Sequence, residues 1–194
     1  MVESPLVRSC GQPVPGLSVR VLDGSGAEAT PGAIGEVIVQ SRAVMLGYWQ
    51  NPEATAQALK GGWFHTGDLG YLDGESNLFL VDRAKDMIVT GGENVYSIEV
   101  ENALASHPDV IEVAVFGIPH ERWGEAVHAV VVSASSSTSL ADELIAHCRG
   151  LIAGFKVPKS IDVQTDPLPK SGPGKVLKRS LRDRFWEGRG GQIV

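Results

Sequence analysis

The sequence predicts an α+β protein in two parts: a mostly β stretch over residues 1–82 and an α+β stretch over 87–194. Three observations predict it. Short apolar runs broken by Gly, Pro and Asp fill the first part, the pattern of strands joined by tight turns. The runs VIEVAVFG (110–117) and AVHAVVVS (126–133) are apolar almost throughout, as buried strands are. Residues 140–153 repeat apolar positions at helical spacing.

The elements follow in order. The opening VESPLVRSCGQPVPG reads as an irregular lead-in, as expected of a piece whose fold starts further upstream. Residues 17–22 (LSVRVL) form a strand, Asp23-Gly24-Ser25-Gly26 a turn, and 34–40 (IGEVIVQ) a second strand. Asn51 caps a short helix through Leu59, and Pro52 fits its first position. Gly61-Gly62 ends it, 63–72 is extended, and Asp73-Gly74 turns the chain into the strand 78–82 (LFLVD). In the second part, 86–90 (DMIVT) is a strand and Gly91-Gly92 a turn. A helix over 97–106 has Ser97 as its cap and acids in its first turns. A Ser-rich connector over 133–139 leads to the helix 140–153, with Leu140, Leu144, Ile145, Cys148, Leu151 and Ile152 on one face. Ser139 with Asp142 has the spacing of a capping box. A short strand (159–163), a Pro/Gly-rich loop (166–175) and a helix (176–187) complete the chain, without internal repeats.

Composition narrows the function classes. With 194 residues, 43% hydrophobic and 21% charged, the chain can bury a core without staples. A net charge of -6 argues against a nucleic-acid binder, which shows a basic face. No apolar run approaches the roughly 20 residues of a membrane span. Cys10 and Cys148 sit in neither metal nor disulfide spacing, which fits reduced thiols in a cytoplasmic setting. The N-terminus has no apolar signal core, and the final GGQIV matches no anchor or peroxisomal address.

Three segments carry chemistry-bearing residues. Lys175 ends a loop containing Gly172, Pro173 and Gly174, which leaves the backbone free to approach a ligand and the ammonium free to meet a phosphate. It is not a Walker A loop, because Val176 follows the lysine. Asp68 follows Thr66-Gly67, and a carboxylate can take two hydroxyls of a ribose at once. Arg83 and Lys85 sit where β composition gives way to α+β. Each segment alone also reads as something plain: a solvated loop, a turn-forming Asp, solvated charges between domains. His107, His120, His128 and His147 are scattered without partner spacing and read as structural or surface residues. Trp123-Gly124-Glu125 reads as packing, and Lys170 as an exposed, solubilising lysine.

Taken together, the segments resemble the adenylate-forming superfamily of acyl- and aryl-CoA synthetases, luciferases and peptide-synthetase adenylation domains. Five motifs stand in that family's order: Gly35-Glu36-Val37 with Gly47-Tyr48-Trp49; Trp63-Phe64-His65-Thr66-Gly67-Asp68; Asp82-Arg83-Ala84-Lys85-Asp86, continuing through Gly91-Gly92-Glu93-Asn94 to Glu99-Val100-Glu101; Phe155-Lys156-Val157-Pro158; and Pro169 to Lys175. The resemblance covers nearly the whole chain. It implies that 1–82 is the distal β-rich subdomain of a large N-terminal domain, 83–86 a hinge, and 87–194 a small mobile C-terminal domain with a short mixed or antiparallel sheet flanked by helices. It implies ATP and CoA as co-substrates, with Mg2+ bound mainly by the part that precedes this sequence, and no nucleic-acid partner.

The roles implied are these. Asp68 and Arg83 hold the ATP ribose, Lys85 is the hinge residue, Lys175 enters the site for adenylation, and Gly92 lies beside the CoA pantetheine after the small domain swings. Lysine at the hinge resembles fatty-acyl and aryl-CoA synthetases and luciferases, and the Gly92-Glu93-Asn94-Val95-Tyr96 stretch resembles bacterial fatty-acyl-CoA ligases. His65, although beside Asp68, is not expected to act as a base. The family's Ser/Thr/Gly-rich phosphate loop and the acyl pocket are absent, so the chain is expected to pack on its own N-terminal domain and to be inactive alone. Two other readings compete: a ligase directed at a carrier protein, and a non-catalytic binding module.

Overall fold

The computed structural model describes residues 5–135 and 137–187. The readings of residues 1–4, of Ser136 in the connector and of 188–194 lie outside the described residues. The chain divides after Lys85 into two compact units.

In the first unit, β1 (Ser18–Leu22), β2 (Gly35–Gln40), β3 (Phe64–Leu72) and β4 (Leu78–Arg83) form an antiparallel sheet in that order. Aspartates close two turns: Asp23 accepts the N–H of Ser25 and Ala27, and Asp73 accepts the N–H of Glu75 and Asn77. Helix α1 (Pro52–Ala58) has Pro in its first turn, and the Asn51 side chain accepts the Ala54 N–H at 3.0 Å. The lead-in is less irregular than its sequence. Cys10 N–H donates to Leu78 O, and Leu78 N–H donates to Gly11 O, so it pairs along β4, the edge strand.

The second unit holds β5 (Ile88–Thr90), β6 (Glu93–Val95), α2 (Ser97–Ala105), β7 (Glu112–His120), β8 (Gly124–Val132), α3 (Leu140–Arg149), β9 (Ser160–Gln164) and α4 (Lys178–Trp186). The sheet runs β6-β5-β8-β7, and β9 pairs parallel to β8. It is therefore mixed and flanked by helices, the α+β fold expected. Both faces are covered. Val113 and Val115 of β7 join the cluster built with α2 and α3, while Ala114 and Phe116 face Leu181 and Phe185 of α4. Leu104, Leu140 and Leu144 are fully buried, and each contributes about 1.5–3 kcal/mol.

Several local expectations are corrected. Residues 84–86 make one 3-10 turn, so the strand expected over 86–90 starts at Ile88, and β6 follows where only a turn was expected. Ser97 does not cap α2: Tyr96 is the cap residue, while Ser97 is buried in the first turn and takes a hydrogen bond from Lys178. Ser139 makes no capping bond; its hydroxyl goes to Glu143. Helix α3 stops at Arg149, where Gly150 follows, so Leu151 leaves the apolar face and is exposed, whereas Ile152 still packs against the core. The last helix starts at Lys178 rather than 176.

Candidate functional site

The first unit brings Asp68 and Arg83 together. They are cross-strand partners in the β3–β4 register, with Arg83 Nε 3.5 Å from Asp68 Oδ1. Both side chains are partly open to solvent, at 48% for Arg83 and 36% for Asp68, so a carboxylate and a guanidinium stand side by side and available. A bulge aims the pair. Glu36 pairs with Leu69 and Ile38 with His65, so β3 carries extra residues between those points. Gly67 takes a φ of +71° inside the bulge, a conformation that favours glycine. Neighbouring side chains fix its shape. Thr66 Oγ1 donates to Val37 O at 2.7 Å and accepts the Asp68 N–H at 3.0 Å. The Glu36 carboxylate accepts the Gly67 N–H at 3.3 Å and meets His65 Nδ1 at 2.9 Å. His65 is thus tied to Glu36. Glu36 and Thr66 set the backbone that carries Asp68, and the Gly35-Glu36-Val37 and Thr66-Gly67-Asp68 motifs were their only trace in the sequence.

Lys85 lies in the 3-10 turn Ala84–Asp86, where the two units divide, and its side chain is exposed. Gly92 is the second residue of the two-residue β5–β6 turn. Gly91 has φ +60° and Gly92 φ +86°, the geometry of a type I′ hairpin. Gly91 N–H donates to Trp123 O at 2.9 Å, which seats the turn against the β7–β8 hairpin. No atom lies within 4 Å of where a Gly92 Cβ would stand, so that position opens outward.

Lys175 sits on a closed turn. Ser171 N–H donates to Lys175 O at 2.8 Å, Leu177 N–H donates to Pro169 O at 2.8 Å, and Lys170 bridges Val176. Val176 packs into the α4-side core while Lys175 is exposed. Among the described residues no ion pair involves Lys175. Lys170, expected to be merely solubilising, is instead paired with Glu112 at 2.5 Å, and this bond first, then the Leu168 N–H, holds the Glu112 carboxyl below its ordinary range.

Other motif residues have structural work the sequence did not disclose. Lys156 reaches both Glu99 oxygens at 2.8 and 2.7 Å, joining the segment after α3 to α2. Trp123 stacks on His120 at 4.2 Å and carries the Lys159 ammonium over its ring, a packing role as expected. His128 is buried; its Nδ1 lies 2.7 Å from Ser160 Oγ, and its Nε2 makes no hydrogen bond, with Asp162 3.7 Å away. Burial pushes its imidazole below the ordinary 6.5, opposed by Asp162 and assisted by Arg184. Among the described residues no group of three His, Cys, Asp or Glu side chains is placed to hold a metal. No described helix is long and apolar enough to cross a membrane.

Comparison with known proteins adds an independent observation. The family described as "AMP-binding enzyme" matches residues 2–49, and the one described as "AMP-binding enzyme C-terminal domain" matches 99–175. A feruloyl-CoA synthase of Amycolatopsis sp is 49% identical over 179 residues, covering 92% of this chain and 36% of that protein. A fatty acid–[acyl-carrier-protein] ligase, ScoC, of Streptomyces coeruleorubidus is 46% identical over 181 residues, covering 93% and 35%. The crystal structure of ATP-bound MatB from Rhodopseudomonas palustris is 38% identical with a TM-score of 0.85, over 93% of this chain and 36% of that one. The chain thus spans about a third of the length of the curated relatives it matches.

Proposed function

The chain belongs to the adenylate-forming, AMP-binding enzymes, and from that premise we propose that it is the C-terminal part of an ATP-dependent acid–CoA ligase acting on a fatty acid. Residues 1–82 are the distal part of the large domain, 83–86 the hinge with Lys85 at its centre, and 87–194 the mobile domain. The carboxylate of the acid attacks the α-phosphorus of ATP, releasing pyrophosphate and forming the acyl-adenylate. The thiol of CoA then attacks the acyl carbonyl, and AMP leaves. Asp68 accepts the two ribose hydroxyls and Arg83 supports it from the neighbouring strand. Lys175 stabilises the charge that builds on the acyl carboxylate and phosphate during the first step. Gly92 lies beside the pantetheine arm in the second. Mg2+ would neutralise the triphosphate, held mainly by the region that precedes these residues.

The observation that carries this reading is the Asp68–Arg83 pair, partly exposed on a bulge that Glu36 and Thr66 lock into shape. Carboxylate and guanidinium stand in a fixed geometry that suits a vicinal diol.

The test is acyl-CoA formation from ATP, CoA and a panel of fatty and aryl acids. It is run with this chain alone and with the chain joined to its upstream coding region, each with and without Lys175→Ala. The joined protein is expected to turn over and the chain alone not. Lys175→Ala is expected to slow adenylation about 10²–10³-fold, with thioester formation from supplied acyl-adenylate largely spared. Turnover by the chain alone, or an intact first half-reaction in Lys175→Ala, overturns the proposal. Likeness to a ligase acting on a carrier protein favours a second reading, a phosphopantetheine arm as acceptor. Acceptance of CoA that weakens when its 3′-phosphate is removed decides for free CoA.

A further inference from the structure

Strand β7 ends the sheet order β6-β5-β8-β7, so among the described residues one of its edges has no strand partner. Two glutamates anchor to that strand, Glu101 through a backbone N–H of β7 and Glu112 as its first residue, and each is held by a lysine from the segment that carries Lys175. Glu101 of α2 accepts the Val115 N–H at 2.8 Å, and Lys178 Nζ reaches the same oxygen at 2.7 Å. Lys178 also donates to Ser97 Oγ at 2.7 Å. Nearer the start of β7, Glu112 accepts the Leu168 N–H at 3.0 Å and pairs with Lys170. The closed turn bearing Lys175 hangs between these two tethers. The Lys178–Glu101 tether is the more enclosed, with side chains 19% and 14% exposed against 41% and 24% for Lys170–Glu112.

We infer that Lys178, held by Glu101, is a positioning residue for Lys175, with Lys170–Glu112 as a second and weaker tether. The inference rests on the reading that Lys175 serves adenylation. A lysine that acts only when its domain is docked must arrive at a set height above that domain's surface. A turn anchored at one end only would spread the ammonium over several ångströms, and a misplacement of about 1 Å can cost about a hundredfold in rate. Pinning both ends to the rigid β7 strand removes that spread. Neither Lys178 nor Glu101 need touch substrate to do this.

The experiment uses the full-length enzyme proposed above. It reads acid-dependent ATP–pyrophosphate exchange for the first half-reaction and acyl-CoA formation from supplied acyl-adenylate for the second. Lys178→Met is expected to lower the kcat of exchange about 10–100-fold, with the KM for ATP and the second half-reaction each within about threefold of wild type. Lys178→Arg, which keeps the charge, should recover most of the loss. Removing one partner of an enclosed pair can unfold the domain, so Glu101→Gln, which keeps the acceptor for Val115 N–H, and Lys170→Met, at the more open tether, are measured beside it with thermal melting. Unchanged exchange in the folded variants overturns the inference. So does a parallel fall in both half-reactions, the mark of general destabilisation. Lys175→Ala separates the two levels. If it slows exchange as expected and the folded tether variants leave exchange unchanged, only the positioning role fails. If it leaves exchange intact, the adenylation reading fails and takes this inference with it.

Discussion

Lys170, Lys175 and Lys178 stand within nine residues of one another and do different work. Two are spent on glutamates of the second unit and one is left exposed, a division set by which carboxylates the fold brings near. His128 makes the same point from the inside. Its burial between Phe116 and Phe185 favours the neutral ring, so the folded state holds its imidazole below the unfolded value near 6.5. The unfolded chain binds more protons between those two values, so this stability is fully present above about pH 6.5 and is lost as pH falls through the folded value. Glu125 acts in the opposite sense: desolvation raises its carboxyl, so it favours the folded state only once protonated. The His128 contribution alone therefore lowers the unfolding midpoint as pH falls from 7.5 to 5, and His128→Gln should make the midpoint fall less over that range than in the unmodified chain. An unchanged slope in the variant would place the acid sensitivity elsewhere.

At the scale of elements, turns and caps were legible because their partners lie within a few residues. Asn51 caps α1, Asp23 and Asp73 close their turns, and Gly91-Gly92 makes a hairpin, all as their spacing predicts. Ser97 is not a cap because it lies one residue inside α2, and Ser139 makes no capping bond because its hydroxyl goes to Glu143. The bulge in β3 was invisible as a bulge, since Thr66-Gly67-Asp68 reads equally as a plain extended stretch. Gly92 gives the sharpest test. Its φ of +86° is costly for other residues while nothing crowds a Cβ there, so the penalty is conformational. Gly92→Val should cost about 1–2 kcal/mol and Gly92→Asn distinctly less, because Asn tolerates the left-handed region. Melting of the second unit measures both, and equal losses would point to crowding instead.

For the whole molecule, the two units differ in what holds them. The second buries apolar residues on both faces of its sheet, whereas among the described residues of the first the buried hydrophobics are Val21, Val37 and Ile38. The first unit also exposes Leu46 fully and Trp49 at 88%. Residues 86–187 made alone should melt cooperatively within a few degrees of their transition in the intact chain, and residues 1–85 alone should show no sharp transition and should aggregate. Circular dichroism of the two pieces checks this, and a sharp transition in 1–85 would contradict it. The sequence by itself determined the α+β class, most strands and helices, and the residues Asp68, Arg83, Gly92 and Lys175 as candidates, because periodicity, turn chemistry and motifs are properties of near neighbours. Only the tertiary structure decided that Asp68 faces Arg83, that Glu36 grips the bulge 31 residues away, and that Lys178 reaches Ser97 across 81 residues. Such pairs are created by strand register and helix packing, and no local pattern in the chain encodes a partner that only the closed sheet brings within hydrogen-bond distance.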